Sequence, residues 1–164
     1  MKFLRFILWA CVLAVMAVIF SLSAQPATQS NNLSTGVSKK IVDTLPMTRH
    51  KSEIEKQDIV KRWNRFVRKY AHFAMYFLLG AATMLALLFT CRNLASLWKL
   101  WLICLIACLL YAVSDEVHQH FVPGRGPGIL DVLIDFSGAS LSSFFICGIG
   151  TLVNRRNRQT AAKQ

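Results

Sequence analysis

The sequence predicts an all-α, integral membrane four-helix protein, with a short basic amphipathic helix before the second span. Three observations carry that expectation. Of 164 residues, 54% are hydrophobic and the mean hydropathy is positive, both high for a small water-soluble domain. Four stretches, about residues 6–22, 70–90, 97–113 and 129–153, approach the roughly 20 mainly apolar residues that cross a bilayer. Too little chain remains between them for a separate soluble core, so residues 1–164 read as a single membrane domain.

The first stretch follows Lys2 and Arg5 and runs from Phe6 to Leu22. A charged start, an apolar run and "SLSA" also describe a cleavable signal peptide. The run is long for a signal, and Leu22 suits poorly the place three before a cut after Ala24, which favours a retained helix. Residues 24–69 form the one long connection. Its first half, "AQPATQSNNLSTG", has no apolar period and reads as a polar, mobile loop. In its second half Ile59, Trp63, Phe66 or Val67, and Tyr70 recur at helical spacing, with Lys61, Arg62, Arg65, Arg68 and Lys69 largely between them. That pattern predicts a basic amphipathic helix lying on the membrane surface and turning into the second span.

On the second span Lys69, His72, Tyr76 and Gly80 share one face. "CRNLASLWK" then makes a short turn with two positive charges, and Trp98 and Trp101 read as interfacial aromatics. If the third helix continues far enough, Tyr111, Asp115 and His118 share one stripe, and Glu116 and His120 another. Pro123 and Gly124 end it, because proline lacks the N–H that a helix needs and glycine tolerates the turn. "PGRGPG" holds Arg125 at a nearly fixed height. Asp131, Asp135, Gly138 and Ser142 follow at spacings that put them on one face of the fourth span, the last two as small residues permitting close helix contact.

The net charge is +11, yet the basic residues lie beside apolar segments, in "KRWNRFVRKY" and "NRRNRQTAAK". Membrane lipids with anionic headgroups, and not nucleic acid, are the partners this implies. The five cysteines form no CxxC and read as small apolar residues. With Lys2 and Arg5 inside, four spans leave both termini cytoplasmic. The basic residues then inside are Lys2, Arg5, Arg92, Lys99, Arg155, Arg156, Arg158 and Lys163, so 11 of the 19 face outward and charge counting alone does not decide the orientation. The dominance of the first helix and the basic tail favour the cytoplasmic termini, which places residues 114–135 on the outer face.

Three helices therefore bring polar stripes toward one end of the membrane. An ionised side chain at the bilayer centre costs about 2.5–3.5 kcal/mol, so such groups should face one another. The carboxylates of Asp115, Glu116, Asp131 and Asp135 are expected to be compensated by Arg125, Lys69 and protonated His72 or His118. A purely structural cluster is one reading of this pattern. Metal binding is not expected, because His118 and His120 alternate faces and there is no HExxH, and no cofactor is implied. Acid–base chemistry lacks a nucleophile with a supporting base, since Ser114 alone is not one. Anion recognition fits Arg125 best, because a guanidinium fork matches phosphate and carboxylate. Tyr76 also has a plain reading as an interfacial anchor.

"RKYAHFAMYFLLG" and "SDEVHQHFVPGRGPGILDVLIDFSGA" resemble the two signature segments of the VanZ-like family of bacterial membrane proteins, and "FSLSAQPATQSNNLSTG" is similar to the serine-rich stretch after that family's first helix. The similarity runs from about Phe20 to Ser142. It maps the family motif onto Arg68, Lys69, His72 and Tyr76, then Asp115, Glu116, His118, Gln119, Pro123, Gly124 and Arg125, then Asp131, Asp135 and Gly138. Two positions depart from it. Met75 stands where an acid is common, which removes a charge from the cluster, and Ser142 stands where a second glycine is expected.

The resemblance implies a multi-pass protein of the bacterial plasma membrane, whose founding relative is associated with low-level resistance to teicoplanin. The leading expectation is an outward pocket for an anionic or amphiphilic ligand, a lipid-linked cell-wall intermediate or a lipoglycopeptide. Lys69, His72, Tyr76, Asp115, Glu116, His118, Gln119, Arg125, Asp131 and Asp135 are its candidate residues. The alternatives are an intramembrane enzyme on a lipid or lipid-linked substrate, with His118 and Glu116 or Asp115 as acid and base, and a non-catalytic assembly subunit.

Overall fold

A computed structural model of the protein describes residues 2–48, 50–91, 96–126 and 128–161, with side chains as far as Val153. The inferred turn at Arg92 and the basic side chains of Arg155, Arg156, Arg158 and Lys163 lie outside the described residues. The described chain is all-helical: α1 (Lys2–Ser23), α2 (Ala27–Thr44), a single 3-10 turn (Pro46–Thr48), α3 (Glu53–Cys91), α4 (Leu97–His120) and α5 (Ile129–Ala161). Four segments, Lys2–Ser23, Glu53–Cys91, Leu97–His120 and Ile129–Val153, are long and apolar enough to cross a membrane. Their outward faces keep large apolar residues exposed, among them Leu13, Leu110 and Phe144, as lipid contact requires.

Helix α3 is the axis of the fold and packs against each of the other four helices, most extensively against α5. At 39 residues it is about 58 Å long, nearly twice the hydrocarbon thickness of about 30 Å, so its first part stands outside the membrane. It starts with a capping box. The Ser52 hydroxyl accepts the Glu55 N–H at 3.3 Å, and the Glu55 carboxylate accepts the Ser52 N–H at 2.9 Å. Those bonds hold the Glu55 carboxyl below the usual carboxylate range.

The core is apolar and tightly filled. Tyr76, Leu79 and Met84 of α3, Leu100, Cys104, Cys108 and Ala112 of α4, Ala139 of α5, and Val12 and Ile19 of α1 form one buried cluster. Cys104 and Cys108 thus behave as small apolar residues, while Cys11 is exposed. Helix α1 is tied along its length: the Trp9 indole donates to the Thr90 hydroxyl at 3.1 Å, and the Tyr111 hydroxyl donates to the Met16 carbonyl at 2.7 Å.

One expectation is corrected. Residues 27–44 are a helix and not a mobile loop. The stripe that α2 buries is Ser34, Ser38 and Val42, at i, i+4 and i+8, and two serines make it invisible to a search for apolar periodicity. Ser34 satisfies its own hydroxyl on the Ser30 carbonyl at 2.9 Å, and the Asn64 Nδ2 group donates a hydrogen bond to Asn31 Oδ1, linking α3 to α2. The basic amphipathic stretch before the second span forms the first part of α3. Val60 and Asn64 pack inward, whereas Trp63, Phe66 and Tyr70 are 44%, 69% and 72% exposed. The helical spacing among Trp63, Phe66 and Tyr70 therefore marks an outward apolar stripe among basic residues.

Candidate functional site

The site begins where the packing is closest. A Cβ at Gly138 would overlap the Phe73 carbonyl, and one at Gly80 would lie 2.6 Å from the Ser142 hydroxyl, so these glycines let α3 and α5 touch backbone to backbone. That contact sets the register of the two polar stripes. Lys69 Nζ meets Asp131 Oδ1 at 3.2 Å, and one turn deeper His72 Nδ1 lies 3.7 Å from Asp135 Oδ2. Gradation in burial follows depth: Lys69 and Asp131 are about half-exposed, whereas Asp135 is 2% exposed and Tyr76 fully buried.

Helix α4 adds Asp115 and Gln119, adjacent on one face at i and i+4. The Gln119 amide donates to Asp115 Oδ2 at 3.0 Å, and the Ser23 hydroxyl at the end of α1 donates to the same oxygen at 2.9 Å. The turn after α4 uses Gly124 at φ +75°, a conformation that L side chains rarely adopt. Arg125 then folds back. Its Nη1 donates to Gln119 Oε1 at 3.1 Å and its Nη2 to the Leu22 carbonyl at 3.1 Å.

Arg125 therefore does not compensate a carboxylate, contrary to the sequence expectation. Among the described residues no acid lies within ion-pair distance of it, because Gln119 stands between the guanidinium and Asp115. Burial, and then the nearby Arg68 guanidinium, lower its pKa from the usual arginine value, and it stays charged at neutral pH. Arg68 and Arg125 both border a cavity of about 200 Å³, whose walls are chiefly apolar: Ile19 and Leu22 of α1, Leu33 and Val37 of α2, Val67 and Met75 of α3. A second cavity, of about 230 Å³, lies on the other side of Arg68 and His72 and reaches Lys69, Asp131 and Asp135.

Eight of the ten candidate residues thus converge: Lys69, His72, Tyr76, Asp115, Gln119, Arg125, Asp131 and Asp135. Two turn away from the centre. Glu116 accepts the Gly128 N–H and lines a separate apolar cavity with Val117 and Phe121. His118 stacks on Phe20 with ring centroids 4.5 Å apart and leaves its buried Nε2 without a partner. No hydrogen bond joins His118 to Asp115 or Glu116 among the described residues. The residues that sequence reasoning left out of the cluster are Ser23 and the Leu22 carbonyl. Both come from α1, and "SLSAQP" carries no charge that would point to them. Arg68 stood in the motif, but its place beside Arg125 needed the fold.

The VanZ/LLP1 family model matches residues 6–150, most of the chain and all of these positions. No curated protein and no solved structure matches the chain.

Proposed function

The chain belongs to the VanZ/LLP1 family, and from that premise we propose that this membrane protein binds an anionic amphiphile in the groove between α1, α2 and α3. One observation carries the reading: two guanidinium groups with no acid partner among the described residues stand at the edge of a chiefly apolar cavity. An acyl chain matches the apolar walls, and a phosphate or carboxylate matches the Arg125 and Arg68 forks. Gln119 and the Leu22 carbonyl hold Arg125 in place through neutral acceptors, so its charge remains for the ligand. The ligand class includes lipid-linked cell-wall intermediates and lipoglycopeptides, and the physiological consequence is a contribution to teicoplanin resistance or to the cell envelope. With both termini cytoplasmic, the groove opens at the outer leaflet of the bacterial plasma membrane.

The test compares teicoplanin and vancomycin susceptibility in one sensitive host producing wild-type protein or Arg125→Ala at matched membrane levels. Protection against teicoplanin by wild type alone is the expected result. Equal protection by Arg125→Ala at equal abundance would remove the groove from the mechanism. If neither form protects, resistance is not its role, and binding of a fluorescent short-chain phosphatidylglycerol to the purified proteins decides the ligand class. The reading then requires at least about tenfold weaker binding by Arg125→Ala, the loss of one charge-assisted hydrogen-bonding group.

A further inference from the structure

We propose that His72, Asp115 and Asp135 bind one first-row divalent cation, Zn²⁺ or Mn²⁺ by preference, in the polar core between α3, α4 and α5. One ring nitrogen of His72 and one carboxylate oxygen from each aspartate lie within 4.8 Å of one another. Ligand atoms around a tetrahedral ion with bonds of about 2.1 Å are about 3.4 Å apart, so the widest edge need close by no more than about 1.4 Å. A small side-chain rotation provides that.

A separate observation points to a ligand there. Asp115 Oδ1 and Asp135 Oδ1 are buried without any hydrogen-bond donor, in side chains only 4% and 2% exposed. The Tyr76 hydroxyl, fully buried one turn beyond His72 on α3, is also without a partner among the described residues. Three unpartnered oxygens in one buried place call for a group that accepts their lone pairs. The neighbouring cations do not serve: Lys69 is engaged by Asp131, and Arg125 by Gln119 and a backbone carbonyl. An imidazole with two carboxylates suits Zn²⁺, Mn²⁺ or Fe²⁺, whereas Mg²⁺ and Ca²⁺ favour all-oxygen sites.

The surroundings fit the same assignment. Ser23 and Gln119 bond only Oδ2 of Asp115, which orients the carboxylate and leaves Oδ1 for the ion, as outer partners of metal ligands do. The cavity beside Lys69 and Asp131 reaches His72 and Asp135 and gives the ion an entry path. An ion held here would join three helices at the level where their polar stripes meet. Sequence pattern gave no sign of it, because each donor comes from a different helix. The site uses neither Arg68 nor Arg125, although His72 also borders the groove.

The experiment uses the full chain, purified in detergent without a polyhistidine tag. Bound metal is measured by mass spectrometry, and thermal unfolding is followed while ZnCl₂, MnCl₂ or MgCl₂ is added. We expect about one Zn²⁺ or Mn²⁺ per chain and a saturating rise in Tm. Asp135→Asn and His72→Ala should weaken uptake at least about tenfold, while Gly36→Ala, on α2 with open space at its Cβ, retains it. Wild-type protein that takes up no ion, or that responds equally to Mg²⁺, overturns the assignment and leaves a carboxylate pair sharing a proton. Unchanged uptake by Asp135→Asn also overturns it. Should that variant fail to fold, Asp115→Asn takes its place, and the wild-type titration alone remains decisive.

Discussion

On the side of α3 that faces α5, the cations Lys69 and His72 are paired with acids and the backbones touch; on the side that faces α1 and α2, two guanidinium groups border an open apolar groove. Both sides carry polar residues at helical spacing in a membrane-spanning context. The difference is in their partners. Toward α5 the cations Lys69 and His72 each meet an acid, and below them Gly80 and Gly138 bring the two backbones into contact. Toward α1 and α2, Arg125 meets only neutral acceptors, and small residues on α2 bring that helix against the extramembrane part of α3 while leaving a cavity at the membrane end. A polar stripe in a membrane protein therefore does not by itself mark a site. Unpaired charge beside empty space does.

The contrast can be broken most forcefully at Gly138. Replacing it by leucine puts atoms into the Phe73 carbonyl, and we expect a loss of about 3 kcal/mol or of folded protein altogether, read by monodisperse yield in detergent. A well-folded Gly138→Leu protein would mean that α3 and α5 are not in backbone contact. Asp115→Ala comes next. It strands the Ser23 hydroxyl and the Gln119 amide in a buried setting, for a cost of about 1–3 kcal/mol in reversible unfolding. Arg125→Ala should cost only about 1 kcal/mol of stability, since its two bonds go to neutral acceptors, while abolishing most anionic-ligand binding. A large stability loss there would make Arg125 a structural tie and erase the contrast.

Smaller effects sharpen it. Lys69→Met removes a pair whose two side chains are 45% and 42% exposed, and solvent screening limits the cost to under about 1 kcal/mol. Gly36, on α2, has open space where a Cβ would go, so Gly36→Ala should raise stability by about 0.5 kcal/mol. Destabilisation by Gly36→Ala would show that α2 packs on that face as closely as α5 does on its own.

Much of the arrangement was legible because it depends on local rules. Apolar length marked the four spans, and proline and glycine after His120 marked the end of α4. Spacing by three and four put Lys69, His72, Tyr76 and Gly80 on one face, and Asp131, Asp135, Gly138 and Ser142 on another; these faces do meet. The family resemblance was carried by the same segments. Helix α2 was not legible, because a helix is found in sequence by its apolar stripe, and this one buries two serines, Ser34 and Ser38, of which Ser34 is satisfied by its own turn.

Charge pairing was legible only in part. Composition required that four carboxylates and the nearby cations be placed together, and it assigned Arg125 to an acid. The fold gave Arg125 to Gln119 and the Leu22 carbonyl, and gave Asp115 to Ser23, 92 residues away. The sequence by itself determined the spans, their breaks and which face of α3, α4 and α5 is polar, since those follow from the helical period and the cost of burying charge. Only the tertiary structure decided which polar groups are partners and which are left free. Partners are chosen by distances of a few ångströms between helices, and those distances are set by how closely glycine and serine let the backbones approach.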